Sequence, residues 1–507
     1  MMGRQADVQN KLFYTAIDLD SRIREDHILR KINQRIDFDF IYQEVKASYG
    51  DNGNVSVPPP VILKMMLLLV YYNVRSEREL MDTIPERLDW LWFLGYDLDD
   101  EIPNHSVLSK ARNRWGVCAF KTFFERIVWQ CVEAGLVDGS KLFMDSSIVK
   151  ADASNNSVVN TTKLKRYLNK SYQKLEARLE EENKAQPSDK NTPKSGDVNI
   201  KHISTTDPDA SVVRRGHGRS KLQYQVHRGV DGKNEIITAT DVTPGAVHES
   251  HCMNSLVDQH HENTGKSADT VVADKKYGTV DNYLSCYDRG INSHFQSLEF
   301  TSRGTGRQKG IIAKEDFVFD PESNTFTCPA GNTLSLRKYN KKRSHYEYIC
   351  PKSICNKCHL KAQCTRSKTG RTLKRHLRQD DLDLILNQAN SKQSIKDIKI
   401  RQHLMERSFA NAERYGFKQA RWRRLWRVRI QEYLTAAIQN IKTLISKKHK
   451  TRNNIALEVK ATTGNSCRLI KKNCNSPLGL LKKVLITLSS QFHLQIMTHF
   501  GRLGKIF

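Results

Sequence analysis

Lys141-Leu-Phe-Met-Asp145-Ser-Ser-Ile-Val-Lys150 is the stretch on which the reading of this chain turns. Leu142 to Met144 and Ile148 to Val149 are apolar and partly β-branched, which suits a short buried strand. One carboxylate, Asp145, interrupts them, and a bare carboxylate among strand residues is costly unless a cation or a hydrogen-bond donor pairs with it. A strand whose Asp merely caps a turn is one reading. A second apolar run that also ends in an acid, Asp269-Thr-Val-Val-Ala-Asp274-Lys-Lys-Tyr-Gly278, opens another. Two buried strands ending in carboxylates can share a divalent metal.

With 507 residues the chain has room for two or three domains and a full hydrophobic core. Its 82 Lys and Arg against 55 Asp and Glu give a net charge of +27, so the expected partner is a polyanion, nucleic acid first. A basic surface that only keeps the protein soluble is the plainer alternative. The first residues hold no apolar core of signal-peptide length. Val61-Ile-Leu-Lys-Met-Met-Leu-Leu-Leu-Val-Tyr-Tyr72 is too short to span a bilayer and contains Lys64. The expectation is a cytoplasmic protein without a membrane partner, whose 11 cysteines form no disulfide framework. Five of them crowd between 328 and 364, as in a metal site.

Along the chain, Pro58-Pro-Pro60 opens a strongly apolar helical run to Tyr72, and Ser76-Glu-Arg-Glu79 has the capping-box pattern. Leu80, Ile84, Leu88 and Leu91 recur at helical spacing, and after Pro103-Asn104-His-Ser106 a further helix is expected through Arg112 and Phe120 to Val132. This all-helical module reads either as a DNA reader of the helix-turn-helix kind or as a packing or dimerisation module. Beyond Asp145 come a charged helical run, Lys163 to Lys184, and a polar segment from Gln186 to Gly196 that reads as a mobile loop. Lys221 to Arg228 and Glu235 to Val242, joined by Gly229-Val-Asp-Gly232, predict a β-hairpin. A helix from His248 to Asp258, a strand at Val271 to Ala273 and a strand at Ile291 to Phe295 complete the order strand, hairpin, helix, strand, helix, strand.

That order, with an Asp on the first strand and another at the end of the fourth, resembles the DDE transposases of bacterial insertion sequences. The resemblance covers most of the chain: Pro-Asn-His-Ser before an Arg-bearing helix, Phe143-Met-Asp145, Thr206-Asp-Pro-Asp-Ala210, Ala273-Asp-Lys-Lys-Tyr-Gly278, a cysteine-containing insertion, and Glu406-Arg-Ser-Phe409. It implies an α/β fold, a ribonuclease H-like catalytic core with an all-helical N-terminal domain and a small cysteine-rich insertion. The expected division is a helical DNA-binding or dimerisation domain over 1–138, the first part of the core over 139–300 with a mobile loop at about 155–220, the insertion over 301–378, C-terminal core helices over 379–450, and a basic tail over 451–507.

The resemblance also implies a third acid on a helix after the insertion. The candidate is Glu406, with Glu413, seven residues on, as rival, and Leu404, Met405, Phe409 and Ala412 would seat that helix on the sheet. One subgroup of these transposases has Tyr, Arg and Lys at fixed spacing around the Glu, where this chain has Lys399, Gln402 and Glu413. Farther on, Trp422, Trp426, Ile430, Leu434, Ala437, Ile441 and Leu444 step as one apolar helical stripe. Arg421, Arg423, Arg424, Arg427 and Arg429 flank it as the expected DNA surface, with Glu432 the single acid from 418 to 450.

Cys328-Pro-Ala-Gly, Cys350, Cys355-Asn-Lys-Cys358 and Cys364 have the spacing of a zinc site. The resemblance favours Cys328, Cys355, Cys358 and Cys364 as structural ligands, with Cys350 as substitute. Free thiols are the alternative, and Cys355-Asn-Lys-Cys358-His359 also fits a c-type haem attachment motif. The implied activity is cutting and joining of the ends of an insertion element by phosphodiester transesterification. Asp145, Asp274 and Glu406 would hold two Mg²⁺ ions, and the partners would be double-stranded DNA, as terminal inverted repeats and target, and a second copy of the chain. A DNA-binding protein without catalysis, and a metal-dependent nuclease without strand transfer, are the other readings.

Overall fold

Lys141–Lys150 forms strand β1 of a computed structural model that describes residues 2–4, 18–51, 53–160, 199, 201–214, 219–296 and 310–447. The next strands in order are β2 (Val158–Asn160), β3 (His202–Ser204), β4 (Ser211–Val213), β5 (Lys221–Asp231), β6 (Ile237–Pro244), β7 (Thr270–Val272) and β8 (Asn292–His294). β2 and β3 pair only with each other. The remaining six form one sheet in the order β4-β5-β1-β7-β8, with β6 also on β5. β5 is antiparallel to β1 and to β6, while β7 and β8 run parallel to β1. The strand order anticipated from the sequence is therefore present, and the core is mixed α/β.

One strand boundary differs from expectation for an identifiable reason. β5 runs on through Gly229, Val230 and Asp231, and the chain reverses only after them. The Asp231 amide donates to the Ile236 carbonyl at 2.8 Å, and its carboxylate accepts from the amides of Lys233 at 3.0 Å and Gly139 at 2.8 Å. Gly229 is thus a strand residue and not a turn residue. A Cβ there would lie 2.9 Å from Leu142 Cδ1, so glycine permits the close approach of β5 to β1.

Before the sheet lie eight α-helices among the described residues, from Leu19–Arg22 to Cys118–Glu133. Pro59–Tyr71 is buried on all sides, as a run without a polar face must be. Its one cation, Lys64, packs its ammonium 5.1 Å from the Phe93 ring centre and 5.3 Å from that of Phe38, and burial pushes its pKa down to about 8. Ser76 caps Glu77–Thr83 by accepting the Glu79 amide at 3.1 Å. The helix expected to run unbroken past Arg112 is split into Ser106–Trp115 and Cys118–Glu133 by Gly116, whose φ of +65° ends the first segment.

Helices cover both faces of the sheet. Met253–Thr264 packs on the face that carries Leu142 and Met144, where Leu256, Val271 and Tyr277 join one apolar cluster. Lys392–Glu413 crosses the opposite face, where the odd-numbered residues of β1 point. Asp397, itself buried, accepts from Lys141 Nζ at 2.9 Å and contacts His294 Nδ1 at 2.7 Å, so this helix is tied to β1 and β8 at once. A final helix runs from 425 to 447. The apolar stripe expected to include Trp422 begins only there: residues 421–424 bend, Arg424 takes a φ of +80°, and nearly every side chain from Ile430 to Ile441 is buried. The start is fixed by two acids from afar, since Asp207 accepts the Arg424 amide at 3.0 Å and Asp209 that of Leu425 at 2.9 Å.

The cysteine-bearing stretch adds a separate five-stranded antiparallel sheet, β9 (Val318–Asp320), β10 (Thr325–Thr327), β11 (Thr333–Asn340), β12 (His345–Ile349) and β13 (Thr372–His376), in chain order. Contacts divide the chain into Met1–Leu444 and Ile445–Phe507. The expected helical run at 163–184, the polar segment at 186–196 and the basic tail at 451–507 lie outside the described residues.

One buried ion pair joins the sheet to both C-terminal helices. Arg228 on β5 donates from Nε and Nη2 to Glu432 at 2.7 and 3.0 Å, and from Nη1 to the Ser408 carbonyl at 3.2 Å. Its guanidinium lies 5.0 Å from the ring centres of both Phe409 and Phe417. Arg228→Met strands the Glu432 charge and should cost about 3–5 kcal/mol, whereas Arg228→Met combined with Glu432→Leu should cost far less. Urea denaturation of the two variants checks this, and equal losses would mean that the charges do not depend on each other.

Candidate functional site

The parallel register brings the two strand-borne acids to one level. Lys141, Leu142 and Phe143 pair with Thr270, Val271 and Val272, so two further residues on each strand reach Asp145 and Asp274. β7 has ended by then, which leaves the side of β1 at Asp145 without a strand partner. Such carboxyl-end openings between parallel strands are where open α/β sheets take ligands. Asp274 caps the short turn that follows, accepting the Lys275 amide at 2.7 Å.

Asp145 is three-quarters shielded from solvent. One oxygen accepts the Ser146 amide at 2.8 Å and the other accepts from Arg401 Nη1 at 2.5 Å. Burial pushes its carboxyl above the usual range, Arg401 and the Ser146 amide oppose this, and the charges of Glu249 and Asp274 add to the rise. Two further acids therefore act on Asp145 electrostatically. Glu249 is the one the sequence reading missed. It is buried and accepts from Gln225 and from Lys276 Nζ, both at 2.7 Å. Burial would raise its pKa, but Lys276, Ser146 and His227 hold it below the usual carboxylate value.

Glu406 is exposed on Lys392–Glu413, outside the row of Asp397, Arg401, Leu404, Met405 and Ser408 that faces the sheet. Its rival Glu413 pairs with Lys418 Nζ at 2.6 Å. The helix thus presents Arg401, five residues before Glu406, to Asp145. Among the described residues no group of three or more His, Cys, Asp or Glu converges tightly enough to hold a metal ion. The register of β1 and β7 carries Asp145 and Asp274 to the same end of the sheet, and Glu406 is on the exposed side of its helix.

Of the arginines expected on the DNA surface, Arg421 donates to the Val74 carbonyl at 2.5 Å and to Asn73, and Arg429 pairs with Asp241 at 2.9 Å. Both are engaged within the fold. Arg423 pairs with Asp152 at 3.2 Å on an exposed surface, and Arg427 donates to Asn113 at 3.0 Å with its guanidinium 4.7 Å from the Trp426 ring centre. Arg424 is half-buried, and its charge helps to offset the burial of Asp207.

All five insertion cysteines line one cavity of about 20 Å³. Cys328 Sγ accepts the Asn332 amide at 3.3 Å and Cys355 Sγ the Arg371 amide at 3.4 Å, while burial and the neighbouring Cys355 push the Cys350 thiol up to about 12.

Two family models match the chain. Residues 17–114 match a transposase domain (DUF772), and residues 327–445 match a transposase DDE domain. The chain is therefore similar to transposases over two separate stretches, one of them a DDE domain, in keeping with the likeness seen in its motifs. No curated protein matches it. Among solved structures, the piggyBac transposase synaptic complex with hairpin DNA, determined by cryo-EM, aligns with 84% of this chain and 75% of its own at 7% identity and a TM-score of 0.33. No helix among the described residues is long and apolar enough to cross a membrane.

His227, fully buried beside this site with Nε2 2.9 Å from Thr243 Oγ1, is pushed down to about 4 by burial. Its ordinary value is about 6.5, so between these limits the unfolded chain binds a proton that the folded one refuses. Its contribution to stability is complete above about pH 6.5 and is lost as pH falls through about 4, on the order of 3 kcal/mol in all. Thermal midpoints compared across that window should fall less in His227→Gln than in wild type, and parallel curves would assign the acid limb to other groups.

Proposed function

We propose that the chain is a DNA transposase that cuts and joins the ends of an insertion element by Mg²⁺-dependent transesterification on a ribonuclease H-like core. The observation that carries this reading is the β1/β7 register, which sets Asp145 and Asp274 side by side in a chain that matches a transposase DDE domain. The sheet supports the core assignment: three antiparallel strands followed by two parallel ones, the first strand central, with helices on both faces.

Asp145, Asp274 and Glu406 are the acids that would hold the metal, and hard carboxylate oxygens are the donors Mg²⁺ prefers. Two bound ions would activate the attacking water or 3′-hydroxyl and stabilise the leaving oxygen. The pair Asp145 and Asp274 fits this donor chemistry. Glu406 lies on the exposed side of its helix, one turn and more beyond Arg401, whose guanidinium holds Asp145. The chain's net charge of +27 suits the phosphate backbone of terminal repeats and target DNA and supports a cytoplasmic, nucleoid-associated role. Alignment of two DNA ends calls for a homodimer. Cys328, Cys355, Cys358 and Cys364, with Cys350 as substitute, line one cavity and would have to draw closer about it to hold a structural Zn²⁺; the amide-to-sulfur bonds at Cys328 and Cys355 suit thiolates.

A second reading, a DNA-binding descendant that has lost catalysis, is favoured by Arg401 on Asp145 and by the separation of Glu406 from the other acids. Asp274→Asn should abolish Mg²⁺-dependent nicking of end DNA and leave DNA binding within about twofold. A wild-type protein that binds end DNA but nicks it with neither Mg²⁺ nor Mn²⁺ establishes the second reading, and cuts without joined product between plasmids point to a nuclease. Metal analysis of the purified chain should find about one zinc per chain, lost in Cys355→Ser with Cys358→Ser. A zinc content unaffected by that change would remove the insertion as its site.

A further inference from the structure

A cavity of about 420 Å³ opens where the N-terminal helices meet the 421–422 segment, and neither Asp145 nor Asp274 lines it. Its walls include Arg75, Arg78, Arg112, Arg421 and His105, with Glu77 as the one acid. This volume lies in the range of small-molecule sites, roughly 300–1,000 Å³. At its base Arg112 is only 3% exposed. One of its nitrogens pairs with Glu77, which also accepts from Trp422 Nε1 at 3.0 Å, and its guanidinium stacks 4.0 Å from the Trp422 ring centre. Nε and Nη1 of Arg112 have no partner. Burial lowers the pKa of Arg112, and the neighbouring charge of Arg427 lowers it further against the pull of Glu77.

A buried guanidinium with two idle donors is costly unless something accepts from them. Arg75 and Arg78 stand exposed at the same cavity, and their side chains make no hydrogen bond or ion pair with other described residues. Four guanidiniums against one carboxylate call for a multiply charged anion, and planar forks of this kind match phosphate oxygens. The space exceeds that of a bare phosphate. Leu69 and Trp422 add apolar wall.

We infer that this cavity is a binding site for a phosphate-bearing group of nucleotide size, with Arg112 as the buried anchor and Arg75 and Arg78 as the outer clamp. The group is either part of a DNA strand or a free nucleotide, and the chemistry is shared. The site needs no metal and does not depend on Asp145, Asp274 or Glu406.

The test uses the full chain and isothermal titration with three probes: inorganic phosphate, a deoxynucleoside monophosphate and a short DNA duplex. Wild type should bind the mononucleotide, the duplex or both, and Arg75→Gln with Arg78→Gln should weaken that binding at least tenfold. Loss of one charge-assisted bond is worth about that factor. Both residues are exposed, so the fold should survive, and Lys374→Gln on the insertion sheet serves as a charge control that should leave mononucleotide binding unchanged. Duplex binding that weakens without any mononucleotide binding assigns the site to the DNA strand, and mononucleotide binding that weakens assigns it to free nucleotides as well. If the double variant binds every probe as wild type does, or if wild type binds none, the site is refuted. Asp274→Asn should bind all probes normally, so failure of this site and failure of the catalytic reading give different results.

Discussion

The pairing of Arg228 with Glu432 is the constraint on which the rest of the molecule depends. It is fully buried, and further contacts of Arg228 reach Ser408 and Phe409 on Lys392–Glu413 and Phe417 in the connection that follows. A charge in that position has no access to water, so the helix carrying Glu432 can dock only where its carboxylate meets the fork of Arg228. Arg228 is the register partner of Asp145, and opposed residues on antiparallel strands project from the same face. What fixes the C-terminal helices therefore also fixes the surroundings of Asp145.

Besides the exposed pair of Arg407 with Glu235, three polar ties run in sequence along the sheet-facing side of Lys392–Glu413: Asp397 to Lys141 and His294, Arg401 to Asp145, and Ser408 to Arg228. The middle one touches a candidate catalytic acid. Breaking it alone leaves the other two to hold the helix, which allows a local adjustment near Asp145 without undocking of the whole element. On the other face Glu249, Gln225, Ser146 and Lys276 form a network whose charges bear on the same carboxylate.

Much of the fold was legible in the sequence because its signals are local. The apolar runs of β1, the hairpin, and the unrelieved apolar run of Pro59–Tyr71 each follow from side chains close together in the chain. The boundaries that differed are set by distant partners. Asp207 and Asp209 start the last helix from over two hundred residues away, and Gly229 is a strand residue because Leu142 lies against it. In the candidate site the strand acids Asp145 and Asp274 were readable from position. Glu249 was not, because a single Glu at the start of a helix looks like an ordinary first-turn acid. Arg401 was hidden for a similar reason, since only the docking of its helix shows which turn meets β1. Glu432 was counted as a stray acid in a basic stretch, and its partner lies on a strand that gives no sign of the pairing.

The alternation of side chains along β1 limits how genes for such proteins can drift. Inserting or deleting one codon between Lys141 and Asp145 would bring Ser146 or Met144 to the face where Arg401 waits, and turn the acid toward Glu249 and its neighbours. Substitutions within the strand can be absorbed one at a time, but changes of length cannot. Insertions and deletions across descendants should therefore accumulate in the connections between elements and spare the strand itself.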